Sequence, residues 1–321
     1  MRIVSYDELD PAMERDRSLI HLSAFLGTYP RRSIDLWRRR ARAFAEYVGL
    51  FAIEQRRVVG QVFVMRIPYT FRDGIEPISG IVAVGTRPDR GRSGVARTVL
   101  TEVHRRERDA GVRYATLWTN RSWGAHGLYE KLGYRDVYSA PWAVHSGGVS
   151  RSAPSGPVRV RAARRSDLRG IERLHVQASA RRLGFTPRVP EFLRVAVATR
   201  EVDPAKELLV AERDGRLEGY AHVDRNPYRS VCGELVATSA TTRRRLVGAV
   251  ARTSHGAPYA FQHSPVVDSP TLFAGPGFST SPRSWYGLMA LDLRREWTAR
   301  EAVQRLATDD QRFLCMSGDR F

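Results

Sequence analysis

The residues best placed to do chemistry lie in one string, Val84-Gly85-Thr86-Arg87-Pro88-Asp89-Arg90-Gly91-Arg92-Ser93-Gly94-Val95-Ala96-Arg97. It reads as a strand, a glycine-bearing basic loop and the start of a helix. The first backbone N–H groups of a helix have no intrahelical partner, and the macrodipole adds positive potential there. A junction of this kind can therefore hold phosphate. Gly94 lets a bulky anion approach the backbone, Ala96 keeps the first turn small, and Arg90, Arg92 and Arg97 supply charge. An ordinary surface turn leading into a helix fits the same string, so the segment alone leaves both readings open.

The elements that must position this junction alternate between strands and helices. Apolar periodicity predicts strands over 2–5, 50–54, 58–67, 78–86, 112–118 and 138–145. It predicts helices over 11–26, 33–46, 95–110 and 124–132, with Ser33 as an N-cap and Gly111 as a C′ residue. The stretch 146–157, SGGVSRSAPSGP, has turn formers and no apolar period, and reads as a linker. After it the order recurs, with strands over 158–161, 208–213, 217–224, 234–238, 258–262 and 286–293. Helices are expected over 166–183, 190–200 and 242–253. Leu128-Tyr129-Glu130-Lys131-Leu132-Gly133-Tyr134 returns as Leu272-Phe273-Ala274-Gly275-Pro276-Gly277-Phe278, offset by 144. Glu54…Gly60 and Glu212…Gly219 fall in matching hairpins, so the chain reads as an internal duplication. The expected domains are 1–145 and 158–295, joined by the linker and followed by a tail, 296–321.

The chain has 321 residues, 42% hydrophobic, which suits two globular cores and excludes a disordered chain. No stretch approaches the ~20 apolar residues of a membrane helix, and the first residues lack the apolar core of a signal peptide. Two cysteines, Cys232 and Cys315, match no metal spacing, so a reducing cytoplasm is expected and no metal. The net charge is +18, and 50 of the 52 basic residues are arginine. Such a surface attracts polyanions, either a phosphate-bearing cofactor or nucleic acid. The arginines are spread along the whole chain and no zinc-finger, helix-turn-helix or RNA-binding aromatic motif occurs, which disfavours nucleic acid.

A second string, Leu117-Trp118-Thr119-Asn120 followed by Gly124-Ala125-His126-Gly127-Leu128-Tyr129-Glu130-Lys131-Leu132-Gly133-Tyr134, narrows the choice. With the first string it resembles the GCN5-related N-acetyltransferase (GNAT) superfamily. That family carries V-x-V-x-P, then R/Q-x-x-G-x-G/A, and later N-x-x-A-x-x-L-Y-x-x-x-G-F. The resemblance implies an α/β (α+β) fold: tandem acyl-CoA N-acyltransferase domains, each a mixed, mostly antiparallel twisted sheet flanked by helices. It implies acetyl-CoA as cofactor, with Val84, Gly85 and Thr86 along the pantetheine arm. Arg92, Ser93, Gly94, Val95, Ala96 and Arg97 would hold the pyrophosphate, and Ser122, Gly124 and Ala125 would complete the site. Tyr129 would protonate the leaving thiolate. Two positions depart from the pattern: Gly91 stands at the R/Q site, and Ser122 at the Asn site, with Asn120 two residues early.

The wider layout is similar to the Eis-like (enhanced intracellular survival) branch, on Arg72-Asp73-Gly74-Ile75-Glu76-Pro77-Ile78-Ser79-Gly80-Ile81 and on Arg213-Asp214-Gly215-Arg216-Leu217-Glu218-Gly219-Tyr220. Members normally add a sterol-carrier-like third domain, for which 296–321 is too short. In that branch a terminal carboxylate serves as general base, which here would be Phe321. Glu54, Glu76, His126 or a water chain are the alternatives. Phe273 in place of Tyr129, and no glycine over 238–245, imply that the second half is degenerate. The expected partner is a small-molecule amine acceptor, walled by Leu26-Gly27-Thr28-Tyr29-Pro30-Arg31 and the second domain. A protein amine and a non-catalytic coenzyme A sensor are the competing readings. No membrane partner is expected, and a homo-oligomer is allowed.

Overall fold

A computed structural model describes residues 1–148, 156–180, 182–184, 188, 191–262 and 270–313. The first half runs β1 (Arg2–Ser5), α1 (Glu14–Phe25), α2 (Arg31–Leu36), β2 (Phe44–Glu54), β3 (Arg57–Thr70), β4 (Ile75–Thr86), α3 (Val95–Asp109), β5 (Tyr114–Asn120), α4 (Gly124–Lys131), β6 (Arg135–Ser139) and β7 (Trp142–His145). The second runs β8 (Arg159–Ala162), α5 (Leu168–Ser179), α6 (Phe192–Ala198), α7 (Pro204–Glu207), β9 (Leu208–Arg213), β10 (Arg216–Asn226), β11 (Arg229–Ala237), α8 (Ala240–Thr253), β12 (Tyr259–Gln262), β13 (Phe278–Ser281), β14 (Tyr286–Asp292) and α9 (Ala299–Leu306).

Two seven-stranded sheets result, ordered β1-β2-β3-β4-β5-β14-β6 and β8-β9-β10-β11-β12-β7-β13. The two orders are the same once β14 and β7 are seen as counterparts. Each sheet is antiparallel except at one parallel step, β4 with β5 and β11 with β12. Each half therefore donates its seventh strand to the other half's sheet. β14 lies between β5 and β6, and β7 lies between β12 and β13. The division at 146–157 is a division of the chain and not of the sheets.

This corrects the single closing strand expected over 138–145. Pro141 has no N–H to give a ladder. The chain ends β6 at Ser139 and restarts as β7 at Trp142, in the other sheet. The helix expected over 33–46 is also shorter. After α2 it widens into a π turn over Trp37–Ala41, stops at Arg42 in the left-handed region (φ 47), and gives way to β2 at Phe44. Alanines 41, 43 and 45 carry helix propensity, but pairing with β3 and burial decide the outcome. β13 lacked a sequence signal. The first part of the expected tail is ordered: Thr298 and Glu301 form a capping box that starts α9.

Helices cover both faces of the first sheet. α3 lays Val99, Leu100 and Val103, all fully buried, on one face with Tyr134 and Met289. Each such side chain stabilises the fold by ~1.5–3 kcal/mol. Gly60 permits this approach, since a Cβ there would sit 2.4 Å from Val95 Cγ1. Gly219 does the same for α8, where a Cβ would lie 3.0 Å from Leu246 Cδ1. On the opposite face α1 packs over Phe51, Val58 and Phe63, and α9 over Tyr69, Ile78 and Tyr114. A mixed cluster joins the halves. Trp37 donates Nε1–H to Glu201 Oε1 at 2.6 Å and meets the Phe192 ring edge-on at 4.9 Å.

Candidate active site

β4 and β5 pair in parallel only at Ser79 with Ala115 and Gly80 with Thr116. Beyond those rungs they part. β4 continues along β3 as far as Gly60 with Thr86, and β5 continues along β14 as far as Asn120 with Tyr286. A slot opens between them, with backbone N–H and C=O groups of two strands along its sides. The cause is a bulge: the β3–β4 register shifts between Gln61 and Phe63, and Ala83 takes φ 52. Val84, Gly85 and Thr86 follow the bulge along the slot. Gly85 also serves packing, because a Cβ there would come within 2.8 Å of Ile20 on α1.

Because β4 and β5 run parallel, the helices that follow them both start at the same end of the slot. α3 starts at Gly94, which is left-handed (φ 83), and no side chain caps it. The first intrahelical amide is Thr98 N, bonded to Gly94 O at 3.0 Å. The amides of Val95, Ala96 and Arg97 precede it. A Cβ on Gly94 would meet nothing within 4 Å, so the space beside the helix start is open there. Arg92 is also left-handed (φ 61), and Ser93 Oγ ties the loop by donating to Arg90 O at 2.6 Å. Arg92 and Arg97 have no ion-pair partner among the described residues. Arg90 is committed to Glu54 at 2.6 Å, and Arg87 to Asp89 at 2.6 Å. A phosphate fits what this end offers: an uncapped helix start, a concave loop and two unpaired guanidinium groups.

α4 starts across the mouth. Asn120 Oδ1 accepts from Ser122 N (2.9 Å) and Ser122 Oγ (2.8 Å), so the early asparagine shapes the turn into α4. Gly124 and Ala125 form its first turn, again with no side-chain cap. Tyr129 is one turn on, buried among Leu117, Val99 and Tyr134, with its ring edge-on to Tyr134 at 5.8 Å. Burial pushes its hydroxyl up to about 12. No hydrogen bond occupies that hydroxyl among the described residues, so it is a protonated donor that the fold does not use.

The three carboxylate or imidazole alternatives for the base are either paired or exposed. Glu54 is the partner of Arg90, and Glu76 is exposed on the β3–β4 hairpin, paired across from Tyr69. His126 is held by Asp136 at 2.9 Å, with Glu130 at 3.6 Å. Phe321 lies outside the described residues. Sequence reasoning missed His21 and Gln61. Gln61 is 1% exposed, donates to Ala83 O at 3.2 Å, and meets His21 Nδ1 at 3.4 Å. Its amide thus holds the bulge from behind. Burial, then Arg17, lowers the His21 pKa, which favours the neutral ring. No local pattern signals this contact, because α1 and β3 are far apart in sequence.

The corresponding place in the second half is closed. Ser239 caps α8 by accepting from Thr242 N at 3.1 Å. Phe273 replaces the tyrosine and packs against Phe261 (5.2 Å) and Phe278 (5.4 Å). Elsewhere, no group of three His, Cys, Asp or Glu residues suited to a metal occurs among the described residues. No helix there is long and apolar enough to cross a membrane.

Comparison with known proteins bears on the domain type and the fold. Residues 13–137 match the family model of the acetyltransferase (GNAT) domain. No curated protein sequence matches the chain. Among solved structures, a probable N-acyltransferase from Enterococcus faecalis superposes with TM-score 0.67 at 13% identity, covering 91% of this chain and 72% of that one. A GCN5-related N-acetyltransferase from Kribbella flavida gives 0.63 at 20% identity, covering 90% and 70%. Eis1 from Mycobacterium abscessus gives 0.61 at 16% identity, covering 92% and 74%. These likenesses show a shared fold over both halves.

Proposed function

We propose that this chain, whose residues 13–137 form a GNAT acetyltransferase domain within a tandem pair, moves an acetyl group from acetyl-CoA to a primary amine of a small molecule in a ternary complex. The observation that carries the proposal is the open slot between β4 and β5, which ends at the uncapped start of α3 and at the free hydroxyl of Tyr129. Acetyl-CoA supplies the activated acetyl group and a thiolate leaving group. The amides of Val95, Ala96 and Arg97, with Arg92 and Arg97, hold its phosphates. Ser122, Gly124 and Ala125 flank the same mouth from α4.

Backbone N–H groups along Val84, Gly85 and Thr86 stabilise negative charge on the acetyl oxygen. The amine nitrogen forms a C–N bond as the C–S bond breaks. Tyr129 gives its proton to the departing sulfur, and the proton lost by the amine returns through water, so no net proton is consumed. Holding both reactants in one cleft supplies much of the rate gain. The second half, with its capped helix and Phe273, shapes the cleft and does no chemistry. Domain limits of 1–145 and 158–295 remain useful for describing the chain, with the seventh strands exchanged.

Thiol release from acetyl-CoA across a panel of amines tests the proposal. Turnover by the wild-type chain is expected. Tyr129→Phe should lower it ~10²–10⁴-fold if proton transfer limits the rate, while the melting shift caused by coenzyme A persists. Coenzyme A that leaves the melting temperature unchanged at millimolar concentration would count against the site itself.

A further inference from the structure

α1 packs on the sheet face opposite α3, and its second half lies beside the slot at Gly85. Three rings stand over the β4 bulge there: His21 lies 5.0 Å from Phe25 and 5.9 Å from Tyr29. Phe25 is 44% exposed, and Leu26, next in the chain, is 91% exposed in the left-handed region (φ 56). That backbone is strained for a leucine, and it places an apolar side chain in water. Across the slot Trp123 meets Tyr286 edge-on at 5.8 Å, and Trp285 adjoins them. Behind both, on the same face, Trp118 and Tyr138 stand 6.3 Å apart. Six of the twelve large apolar side chains exposed among the described residues are Leu22, Phe25, Leu26, Trp123, Trp285 and Tyr286. Half of the exposed apolar side chains thus gather on the two lips of one slot.

Among the described residues, five carboxylates on or bonded to the elements that flank the slot are already committed. Glu14 pairs with Arg17, and Asp35 accepts from Tyr6. Glu201 accepts from Trp37 and from Tyr29. Asp136 holds His126 and Arg121, and Glu54 holds Arg90. Together with the net charge of +18, these walls repel a polycation.

From these observations we infer that the acceptor is a monoamine on an aromatic or aliphatic body, and not a polycationic amino sugar. The inference rests on the acetyl-transfer reading of the same slot. Apolar walls disfavour the ammonium form and lower the pKa of a bound amine, which favours the neutral nucleophile. Stacking on Phe25, Tyr29 or Tyr286 adds affinity beyond burial.

The test compares kcat/KM of the full chain, with saturating acetyl-CoA, on phenethylamine and hexylamine against a polycationic aminoglycoside. The monoamines should lead by at least ~30-fold, about 2 kcal/mol. Phe25→Ala and Leu26→Ser change exposed side chains and should raise KM for the monoamines about tenfold, a loss of ~1.4 kcal/mol. Both variants should retain the full melting shift with coenzyme A. Faster turnover of the aminoglycoside, or no monoamine turnover in a chain that still binds coenzyme A, overturns the acceptor class and leaves acetyl transfer standing. Loss of coenzyme A binding by the wild type removes both.

Discussion

At the scale of single residues, two groups have no partner among the described residues and face the slot's chemistry: the Tyr129 hydroxyl and the amides behind Gly94. Tyr129 is pushed up to about 12 by burial, so its acid form is present at all lower pH values and is lost only above that. The rate with acetyl-CoA should therefore show no decline near pH 10, where an ordinary tyrosine titrates. A basic limb breaking at 10 in the wild type, absent in Tyr129→Phe, would place the hydroxyl in water and contradict the buried geometry. The tyrosine was legible in the sequence through the resemblance of Gly124 to Tyr134 to the GNAT pattern, and the parallel string Leu272-Phe273 lacks the hydroxyl. His21 and Gln61 were not legible, since only folding brings α1 against the bulge at Ala83.

At the scale of elements, α3 must be fixed if its first amides are to stay in place. Val95 locks its start onto Gly60, and His104 locks its middle by bonding Tyr134 Oη at 2.8 Å. Burial, then Arg108, holds the His104 pKa down to about 4. Its folded pKa is below the unfolded value of about 6.5, so the unfolded chain binds the proton first. Stability is complete above 6.5 and falls as pH drops through the window from 6.5 to 4. The loss approaches ~3 kcal/mol at the bottom of that window. Melting curves of wild type and His104→Gln from pH 7.5 to 4 check this, and the variant should show a shallower acid decline. Equal slopes would remove His104 as the cause. The α3 helix itself was plain in the sequence from Val95, Val99, Leu100 and Val103, and Gly111 marked its end. Its N-terminal geometry was not, because the left-handed turns at Arg92 and Gly94 are set by the loop as a whole.

At the scale of the molecule, the duplication was readable from local identity and element order, but the exchange of seventh strands was not. A strand carries a signal for being a strand and almost none for which sheet receives it. Only Pro141, between β6 and β7, marked the point where the chain crosses. The exchange has a consequence for dissection. A fragment of residues 1–145 lacks β14, so β5 and β6 expose unpaired edges and β7 has no sheet to join. That fragment should aggregate or remain unfolded by circular dichroism and gel filtration. Residues 1–155 and 156–321 expressed together as two chains should assemble into one folded pair. A monomeric, cooperatively melting 1–145 would show that the swap is dispensable.

The two sheets share a strand order, yet only the first keeps an uncapped helix beside its slot, whereas Ser239 fills that position in the second. The central claim is therefore that one cofactor binds, and binds at Gly94. Isothermal titration of the full chain with coenzyme A measures this most directly. The account predicts one site per chain, near-normal binding in Gly94→Ala after a strain of about 1 kcal/mol, and none in Gly94→Glu, where a carboxylate meets the phosphate. Two sites per chain, or undiminished binding in Gly94→Glu, would contradict it.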